Sequence, residues 1–203
     1  MKNLTEYKEN VYSQNGEDGV LREVFKRLNI TKGQACEFGA WDGRHLSNTW
    51  HLLEQGWEGC LIEGDLEKIK SLNKNTKSHN VKTWNIGKFV DPHFGDENCL
   101  DNLLSSTPIK EDFDLLSIDV DGPDYYIWKS LTNYKPKVVV IECSGNYDEY
   151  IIYRFGAVHK RDKDGSTAFQ PLVDLGKEKG YTLVCDTGNL IFVADKYKDL
   201  FNE

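Results

Sequence analysis

The sequence predicts an α/β fold in which helices cover both faces of a seven-stranded, mostly parallel β-sheet. Extended apolar runs alternate with helical patterns through the middle of the chain, which is typical of parallel sheets. The runs LLSID and VVVIEC are apolar almost throughout, as expected for strands buried on both faces. Near the C-terminus, YTLVCD and LIFVAD are separated by a short turn containing Gly188, so these two strands must form an antiparallel hairpin.

The individual elements follow in order along the chain. A first helix is predicted by apolar residues at helical spacing, namely Val20, Leu21, Val24, Phe25 and Leu28. Apolar runs predict five parallel strands at about 35–39, 58–63, 81–86, 114–119 and 137–142. The patterns between them predict helices at about 47–55, 65–75, 97–104 and 124–132. A last helix at about 168–179 stops at Gly180, ahead of the hairpin.

Composition and charge exclude several classes of protein. The 203 residues, 39% hydrophobic and 29% charged, suit one globular domain. The net charge of −8 and the lack of a Lys/Arg block argue against binding to nucleic acid or to anionic membranes. The sequence has no membrane-spanning apolar run, no signal-peptide core and no C-x-x-C pair among its five cysteines. A cytoplasmic protein with reduced thiols is therefore expected.

Residues 34–43, QACEFGAWDG, are the most informative stretch of the chain. A strand reaches Glu37 near its end and breaks into a glycine-containing turn that carries a second acid, Asp42. The next strand ends in Glu63, twenty residues past Gly43, and this outline is typical of a nucleoside-binding βαβ unit. The turn lacks G-x-G-x-x-G, and its acids would repel a pyrophosphate. A ligand with a ribose and a cationic end fits better, and S-adenosylmethionine is the common one.

These patterns define a set of candidate cofactor contacts. The first turn would surround the methionine end of the cofactor through Glu37, Gly39, Ala40, Asp42 and Gly43. Glu63 would accept hydrogen bonds from the ribose, while Asn85 and Ile86, at the end of the third strand, would contact the adenine. The alternative interpretation is structural: the acids cap a tight turn, and the other residues are ordinary strand ends.

Several motifs occur in the order found in the FkbM-type branch of the class I S-adenosylmethionine-dependent methyltransferases, which the chain resembles. The matching segments are residues 13–18 (SQNGED), 37–43 (EFGAWDG), 61–63 (LIE), 118–122 (IDVDG) and 140–142 (VIE). The resemblance implies a Rossmann-like three-layer sandwich, S-adenosylmethionine as cofactor, and methyl transfer, often to a hydroxyl of a sugar or other small metabolite. It also implies that the SQNGED segment lies over the cofactor. Helix capping explains Ser13 and Asp18 but not Gln14, which is therefore a cofactor candidate.

Acidic residues follow the fourth and fifth strands at the predicted carboxyl edge of the sheet. Asp119, Asp121 and Asp124 follow the fourth strand and Glu142 ends the fifth, so their carboxylates are expected to lie close together. In one interpretation, Asp121, with Glu142 beside it, is the general base for a substrate hydroxyl. In a second, Asp119 or Asp121, with Glu142 or Asn146, holds Mg²⁺ or Mn²⁺, because hard ions prefer oxygen ligands. In a third, Asp119 contacts the cofactor and the other acids belong to a turn.

Residues 143–167 form a long aperiodic stretch after the fifth strand. Insertions at this edge of a parallel sheet are usually functional, so this stretch is the predicted substrate loop. Its basic cluster, His159, Lys160 and Arg161, would bind an anionic group of the acceptor, such as phosphate or carboxylate. The alternative is a solvated basic loop. His159 is also counted among the catalytic candidates.

The sequence as a whole predicts a cytoplasmic O-methyltransferase with one domain over residues 1–203, in which residues 1–30 form an N-terminal helical cap segment. The expected acceptor is a small molecule, such as a sugar or an anionic metabolite, and a homo-oligomer is left open. One rival is a catalytically silent module that keeps the cofactor pocket and serves a partner protein. The other is a nicotinamide-dependent oxidoreductase, which the antiparallel end and the missing G-x-G-x-x-G disfavour.

Overall fold

The structure confirms the predicted α/β architecture. A computed structural model describes residues 3–152 and 166–202. The strands are β1 (Gln34–Phe38), β2 (Glu58–Ile62), β3 (Lys82–Ile86), β4 (Leu115–Ile118), β5 (Val138–Glu142), β6 (Tyr181–Asp186) and β7 (Asn189–Ala194). They form one seven-stranded sheet in the order β3-β2-β1-β4-β5-β7-β6. Strands β1 to β5 pair in parallel, and β7 runs antiparallel to both β5 and β6, as the terminal hairpin predicts.

Helices lie along the connections between the strands. In the described parts of the chain, the α-helices are α1 (Glu17–Arg27), α2 (Trp50–Leu53), α3 (Leu66–Ser78), α4 (Leu100–Ser105), α5 (Asp124–Ser130) and α6 (Phe169–Glu178). Two 3-10 helices, Leu4–Tyr7 and Asp195–Leu200, lie near the ends of the chain. The sequence did not predict either of them, because four to six residues are too few to establish a helical period.

Alternate residues of the central strands contribute to two apolar layers, one on each face of the sheet. In β1, Cys36 and Phe38 join one layer, and Ala35 joins the other. The first layer packs under α4, α5 and α6 and includes Trp128. The second packs under α1, α2 and α3 and includes Trp50. Strand β4 is buried along its whole length, as its continuous apolar sequence predicts.

The largest departure from the predicted elements lies between β1 and β2. The sequence predicts a helix at about 47–55, whereas α2 is a single turn that begins at Trp50. Ser47 and Thr49 do not continue the helix because their hydroxyl groups donate hydrogen bonds inward to Glu37. A side chain that bonds elsewhere competes with helix formation, which explains the shorter element.

The strand order creates a crossover point in the middle of the sheet. The chain passes from β1 to β2 and β3 on one side, and then crosses to β4 and β5 on the other side of β1. The loops that leave the carboxyl ends of β1 and β4 therefore diverge and leave a crevice between them. This is the usual position of a ligand site in an open α/β sheet.

The cysteines agree with the expectation of reduced thiols. All five are free, and Cys36 and Cys60, which are neighbours in the pairing of β1 and β2, do not form a disulfide. Cys143 lies just after β5 rather than within a strand. Among the described residues, no helix combines the length and the apolar character needed to cross a membrane.

Candidate active site

A cleft of about 360 Å³ opens at the carboxyl ends of the central strands, at the crossover point. Its volume lies within the range of small-molecule sites, roughly 300–1,000 Å³. The cleft brings together many of the residues that the sequence singles out: Gln14, Glu37, Gly39, Ala40, Glu63, Asp119, Asp121 and Glu142. These residues come from the N-terminal segment and from the ends of four strands, so only the folded sheet makes them neighbours.

The turn after β1 requires glycine at position 39. Gly39 has a φ angle of +76°, and a Cβ atom there would lie 1.8 Å from the carbonyl oxygen of Asp119. The backbones that follow β1 and β4 thus approach more closely than a side chain would allow. The N–H of Ala40 donates to the carbonyl of Ile62 at 3.1 Å, which fixes the same turn against β2.

Glu37 is buried near the end of β1 and organises the segment that precedes α2. Its carboxylate accepts hydrogen bonds from Ser47 Oγ and Thr49 Oγ1, both at 2.6 Å, and from the N–H of Asn48 at 2.8 Å. Burial raises the pKa of Glu37, while these three hydrogen bonds act in the opposite direction. Glu37 therefore has a structural function as well as a position in the cleft wall.

Glu63 follows β2 and divides its carboxylate between two backbone donors. Oε2 accepts the N–H of Trp41, and Oε1 accepts the N–H of Asp65, both at 2.8 Å. Because a carboxylate has about four acceptor positions, each oxygen keeps capacity for a ligand. The two backbone contacts also fix the orientation of the side chain. This geometry suits a pair of adjacent hydroxyl groups, such as those of a ribose.

The end of β3 differs from the prediction. Neither Asn85 nor Ile86 is part of the cleft lining. The side-chain amide of Asn85 donates to Asn73 Oδ1 at 2.8 Å and to Thr76 Oγ1 at 3.0 Å, so this side chain faces α3. Ile86 packs on the other face of the sheet, against the apolar layer under α4 to α6. Successive side chains of a strand point to opposite faces of the sheet, which explains why Asn85 and Ile86 pack on different layers.

Residues just beyond β3 line the cleft instead. Lys88, Phe89 and Val90 all contribute to its wall. The ring of Phe89 lies against Gly64, where a Cβ atom would be 2.2 Å from the ring, and the residue is 73% exposed. An exposed aromatic ring beside Glu63 can stack on a planar group of a ligand. The one sequence signal for this residue is an aromatic side chain in the polar stretch GKFVD.

Asp42 and Gly43 also lie outside the cleft lining. Asp42 Oδ1 accepts the N–H groups of Arg44 at 2.9 Å and His45 at 2.8 Å, which corresponds to the turn-capping alternative. Gly43 has a φ angle of +84° and packs on the indole of Trp50, where a Cβ atom would lie 3.1 Å away. Asp42 and Gly43 thus serve the local geometry of the turn rather than the lining of the cleft.

The rim of the cleft carries aromatic and basic residues, of which the sequence points only to His45, just beyond the first turn. Trp41 is about half exposed, and Lys68 Nζ lies 3.6 Å from the centre of its indole ring. The His45 ring is 5.3 Å from Trp41, and Leu46 completes this part of the lining. Trp41 and Leu46 have φ angles of +50° and +55°. Such positive φ angles in non-glycine residues cannot be read from sequence, although they often mark functional sites.

Asp119, Asp121 and Glu142 form an acidic cluster on the other side of β1 from Glu63. Each offers an oxygen atom, and the three atoms lie within 4.8 Å of one another. Burial, followed by the charge of Glu142, raises the pKa of Asp119 to about 8. Burial raises the pKa of Glu142 to about 7, against a hydrogen bond donated by Ser166 Oγ at 2.7 Å. Asp119 and Glu142 can therefore accept or donate a proton near neutral pH.

The turn after β4 separates the functions of Asp121 and Asp124. Asp124 is buried and accepts the N–H groups of Val120 at 3.0 Å and Gly122 at 2.9 Å, so it is a turn residue at the start of α5. Asp121 is exposed to the cleft and has a φ angle of +55°, a conformation that Asp and Asn tolerate better than most residues. Asp121 is thus the accessible acid of the cluster.

The three carboxylates also match the ligands that a hard divalent ion prefers. Asn146, the other ligand considered from the sequence, is engaged elsewhere. Its Oδ1 accepts the N–H groups of Asp148 and Glu149, both at 3.1 Å, and its Nδ2 donates to Glu149 Oε2 at 3.1 Å. Of the four ligands predicted from the sequence, Asp119, Asp121 and Glu142 would therefore hold the ion, and Asn146 would not.

In the SQNGED segment, Gln14 lines the cleft, whereas Ser13, Glu17 and Asp18 form hydrogen bonds within the protein. Gln14 is exposed and lines the cleft. The N–H of Ser13 donates to Asp18 Oδ2 at 2.8 Å, and the N–H of Asp18, in the first turn of α1, donates to Ser13 Oγ at 3.1 Å. Glu17 is buried and accepts a hydrogen bond from Thr187 Oγ1 at 2.8 Å in the terminal hairpin. The capping interpretation of Ser13 and Asp18 therefore agrees with the structure.

The basic cluster of the predicted substrate loop, His159, Lys160 and Arg161, lies outside the described residues. Its contact with an acceptor stays a prediction. The described beginning of the loop packs on the terminal hairpin, where Tyr147 Oη donates to Asp186 Oδ2 at 2.7 Å. Its described end reaches the acidic cluster through Ser166. The two described ends of the loop are therefore attached at the terminal hairpin and at the acidic cluster.

Comparison with solved structures identifies the fold. A S-adenosylmethionine-dependent methyltransferase from Clostridium acetobutylicum ATCC 824 aligns with a TM-score of 0.55 over 88% of this chain and 90% of its own, at 10% identity. The chain has the class I methyltransferase fold. Magnesium protoporphyrin IX methyltransferase from Synechocystis PCC 6803, solved with bound S-adenosylmethionine, aligns with a TM-score of 0.53 over 88% of this chain and 77% of its own, at 10% identity. A methyltransferase from Aquifex aeolicus gives 0.50 over 85% and 86%, at 8% identity.

Sequence comparisons do not identify a family for this methyltransferase-fold chain. No family model matches it. A phosphoadenosine 5'-phosphosulfate reductase from Escherichia coli O1:K1 / APEC is 34% identical over 61 residues, which are 30% of this chain and 24% of the reductase. The chain thus matches about a quarter of that relative's length. This stretch is too short to indicate a common family or activity.

Proposed function

We propose that this protein is an S-adenosylmethionine-dependent methyltransferase of the FkbM type that methylates a hydroxyl of a sugar or a similar small metabolite. The observation that carries the proposal is a single cleft bordered by Glu63 on one side and by the acidic cluster of Asp119, Asp121 and Glu142 on the other. The class I methyltransferase fold supports it. The ordered motifs in the sequence support the FkbM type.

The cleft residues fit S-adenosylmethionine, whose sulfonium-bound methyl group is the electrophile when the cofactor is bound. Glu63 would accept hydrogen bonds from both ribose hydroxyls with the capacity that its backbone partners leave. Phe89 would stack on the adenine. Gly39 allows the backbone to approach the ligand closely. The acidic lining suits the positive charges of the methionine end.

On the acceptor side, Asp121 would remove the proton of the attacking hydroxyl. It is the exposed member of the acidic cluster and lies in the cleft. Glu142 and Asp119 can share the proton, because burial keeps the pKa of each close to neutral pH. Transfer from a sulfonium depends mainly on alignment, so a hydrogen bond that the hydroxyl donates to the cluster would also contribute by orienting the acceptor.

The alternative function of the acidic cluster is to hold Mg²⁺ or Mn²⁺, which would polarise the acceptor hydroxyl. The observation that favours it is that one oxygen atom of each carboxylate lies within 4.8 Å of the other two. A chelator separates the two mechanisms. Loss of activity with chelator and recovery with Mg²⁺ or Mn²⁺ would select the metal, while full activity in chelator would select proton transfer alone.

The function is tested by a screen of sugars, sugar nucleotides and small alcohols with the purified protein and S-adenosylmethionine. The expected result is acceptor-dependent formation of S-adenosylhomocysteine together with a methylated acceptor. Binding of the cofactor without turnover on any acceptor would favour a silent binding module instead. Calorimetry that detects NADH binding, but neither S-adenosylmethionine nor S-adenosylhomocysteine, would overturn the proposal.

A further inference from the structure

A buried carboxylate at the start of α1 gathers the N-terminal segment around itself. Asp18 Oδ2 accepts the backbone N–H groups of Val11 and Tyr12 at 2.7 Å and of Ser13 at 2.8 Å. Asp18 is 0% exposed, so its carboxylate depends on these donors rather than on water. The next residue after Ser13 is Gln14, which lines the cleft. We name residues 10–18 the N-terminal strap.

The second oxygen of Asp18 faces a histidine of α2. His51 Nδ1 lies 2.5 Å from Asp18 Oδ1, and both side chains are buried. Burial alone would raise the pKa of Asp18, but His51 and the backbone donors hold it below its usual range. His51 belongs to α2, directly after the segment that Glu37 organises. One buried pair thus joins the N-terminal strap to the Glu37 wall.

The N-terminal strap has a separate attachment to the terminal hairpin. Glu17 Oε1 accepts hydrogen bonds from Thr187 Oγ1 at 2.8 Å and from Asn189 Nδ2 at 3.1 Å. Glu17 Oε2 accepts the N–H of Asn15 at 2.8 Å. The strap is therefore held at both sides of Gln14, and it is joined to the α2 region by the buried Asp18–His51 pair and by Tyr12, whose hydroxyl donates to Glu54 at 2.9 Å.

We propose that Asp18 and His51 are positioning residues that hold Gln14 against the ligand in the cleft. The inference rests on the proposed function in one respect, which is that S-adenosylmethionine is the ligand. Neither Asp18 nor His51 lines the cleft. We expect their effect on ligand binding to pass through the strap and Gln14, which does line the cleft. If the pair had only a structural function, its loss would lower the stability of the protein, and any change in ligand affinity would not depend on Gln14.

The first test is a mutant cycle on ligand affinity, measured by calorimetry with S-adenosylmethionine. Asp18→Asn keeps an acceptor for the backbone donors but removes the charge that faces His51. We expect it to weaken binding roughly three- to tenfold, the loss that follows when one hydrogen-bonding side chain is misplaced. Gln14→Ala should have a similar effect, and the double variant should lose no more than either single variant. Additive losses would overturn the inference.

A matched control is Asp101→Asn. Asp101 is also buried and accepts two backbone N–H groups, from Thr132 at 3.0 Å and Asn133 at 2.7 Å, but it does not line the cleft. This variant should lower stability and leave the affinity for S-adenosylmethionine unchanged. If Asp18→Asn does not fold, His51→Gln replaces it in the cycle, because it removes the same pair from the other side.

Hydrogen exchange in the ligand-free protein tests the strap independently of the cofactor. His51→Gln should accelerate amide exchange in residues 11–16, whereas Asp101→Asn should not. Unchanged exchange in this segment would overturn the inference. If the wild-type protein binds neither S-adenosylmethionine nor S-adenosylhomocysteine, the proposed function fails. The exchange result then decides whether the pair positions the strap.

Discussion

Carboxylates with similar sequence surroundings have different functions in this protein. Glu37 and Asp42 belong to the same turn, yet Glu37 organises the segment before α2 from within the cleft wall, and Asp42 caps backbone groups outside the cleft. Glu63 combines both tasks, because its backbone partners leave acceptor capacity on each oxygen. The number of protein donors that bind each carboxylate therefore decides how many of its acceptor positions remain free for a ligand.

The first residue-scale prediction concerns Glu63. Glu63→Ala should weaken binding of S-adenosylmethionine by about 1–3 kcal/mol, because the ribose hydroxyls would lose their acceptors. Glu58→Ala is the matched control, since Glu58 lies at the opposite end of the same strand and pairs with Lys82. Calorimetry should give the control the wild-type affinity. Equal losses in the two variants would mean that the effect is general destabilisation.

A second prediction concerns Asp121. Asp121→Asn should lower kcat by roughly 10²–10⁴ if the carboxylate removes the acceptor proton, with little change in cofactor affinity. Asn also tolerates the φ angle of +55° at this position, so the backbone should be retained. Steady-state kinetics and calorimetry on the same preparation check both parts. A near-wild-type rate that is also insensitive to chelator would leave alignment alone as the mechanism.

At the scale of elements, the turn after β1 depends on close contact between two backbone segments. Gly39→Ala should lower the free energy of unfolding by more than about 2 kcal/mol, because the new Cβ would clash with the Asp119 carbonyl. Gly180→Ala is the control. Its φ angle of +81° is similar, but nothing lies within 4 Å, so it should cost only about 1 kcal/mol. Urea unfolding of both variants makes the comparison, and equal costs would show that the contact is unimportant.

A second prediction at this scale concerns the substrate loop, residues 143–167. Replacing His159, Lys160 and Arg161 together by Ala should raise the acceptor KM and leave cofactor affinity nearly unchanged, because the loop is expected to contact the acceptor alone. The measurement pairs acceptor kinetics with cofactor calorimetry. Loss of both affinities, or of neither, would argue against an acceptor site in this loop.

For the molecule as a whole, the buried acids make stability depend on pH. Burial and neighbouring charges raise the pKa of Asp119 to about 8 and that of Glu142 to about 7. In the unfolded chain both acids titrate near pH 4, so between about pH 4 and pH 8 the folded state binds more protons. The contribution of these acids to the free energy of unfolding therefore falls as pH rises.

This dependence gives a prediction for the ligand-free protein. Asp119→Asn is neutral throughout, so its melting temperature relative to wild type should rise between about pH 5 and about pH 8. Asp112→Asn, which removes the same charge from an exposed position, should show no such trend. Thermal unfolding across this range checks both variants. Parallel curves for wild type and Asp119→Asn would contradict the assigned pKa shift.

The sequence by itself determined most of the secondary-structure elements and several of the residues that line the cleft at the ends of the strands. Continuous apolar runs predicted β4 and β5, and the short Gly-Asn turn predicted the antiparallel hairpin. Both signals are local, because they depend only on residues that are close together in the chain. Gly39, Glu63 and the acids after β4 could be predicted to face one site, since parallel strands end at the same edge of a sheet.

Only the tertiary structure decided the order of the strands and the direction of individual side chains at the cleft. Asn85 faces α3 while Phe89 lines the cleft, and the difference depends on which neighbours β3 and its loop contact in the folded sheet. The Asp18–His51 pair likewise joins distant segments. Such contacts follow from the packing of whole elements, whereas the sequence pattern records only which residues within each element are apolar, charged or able to turn.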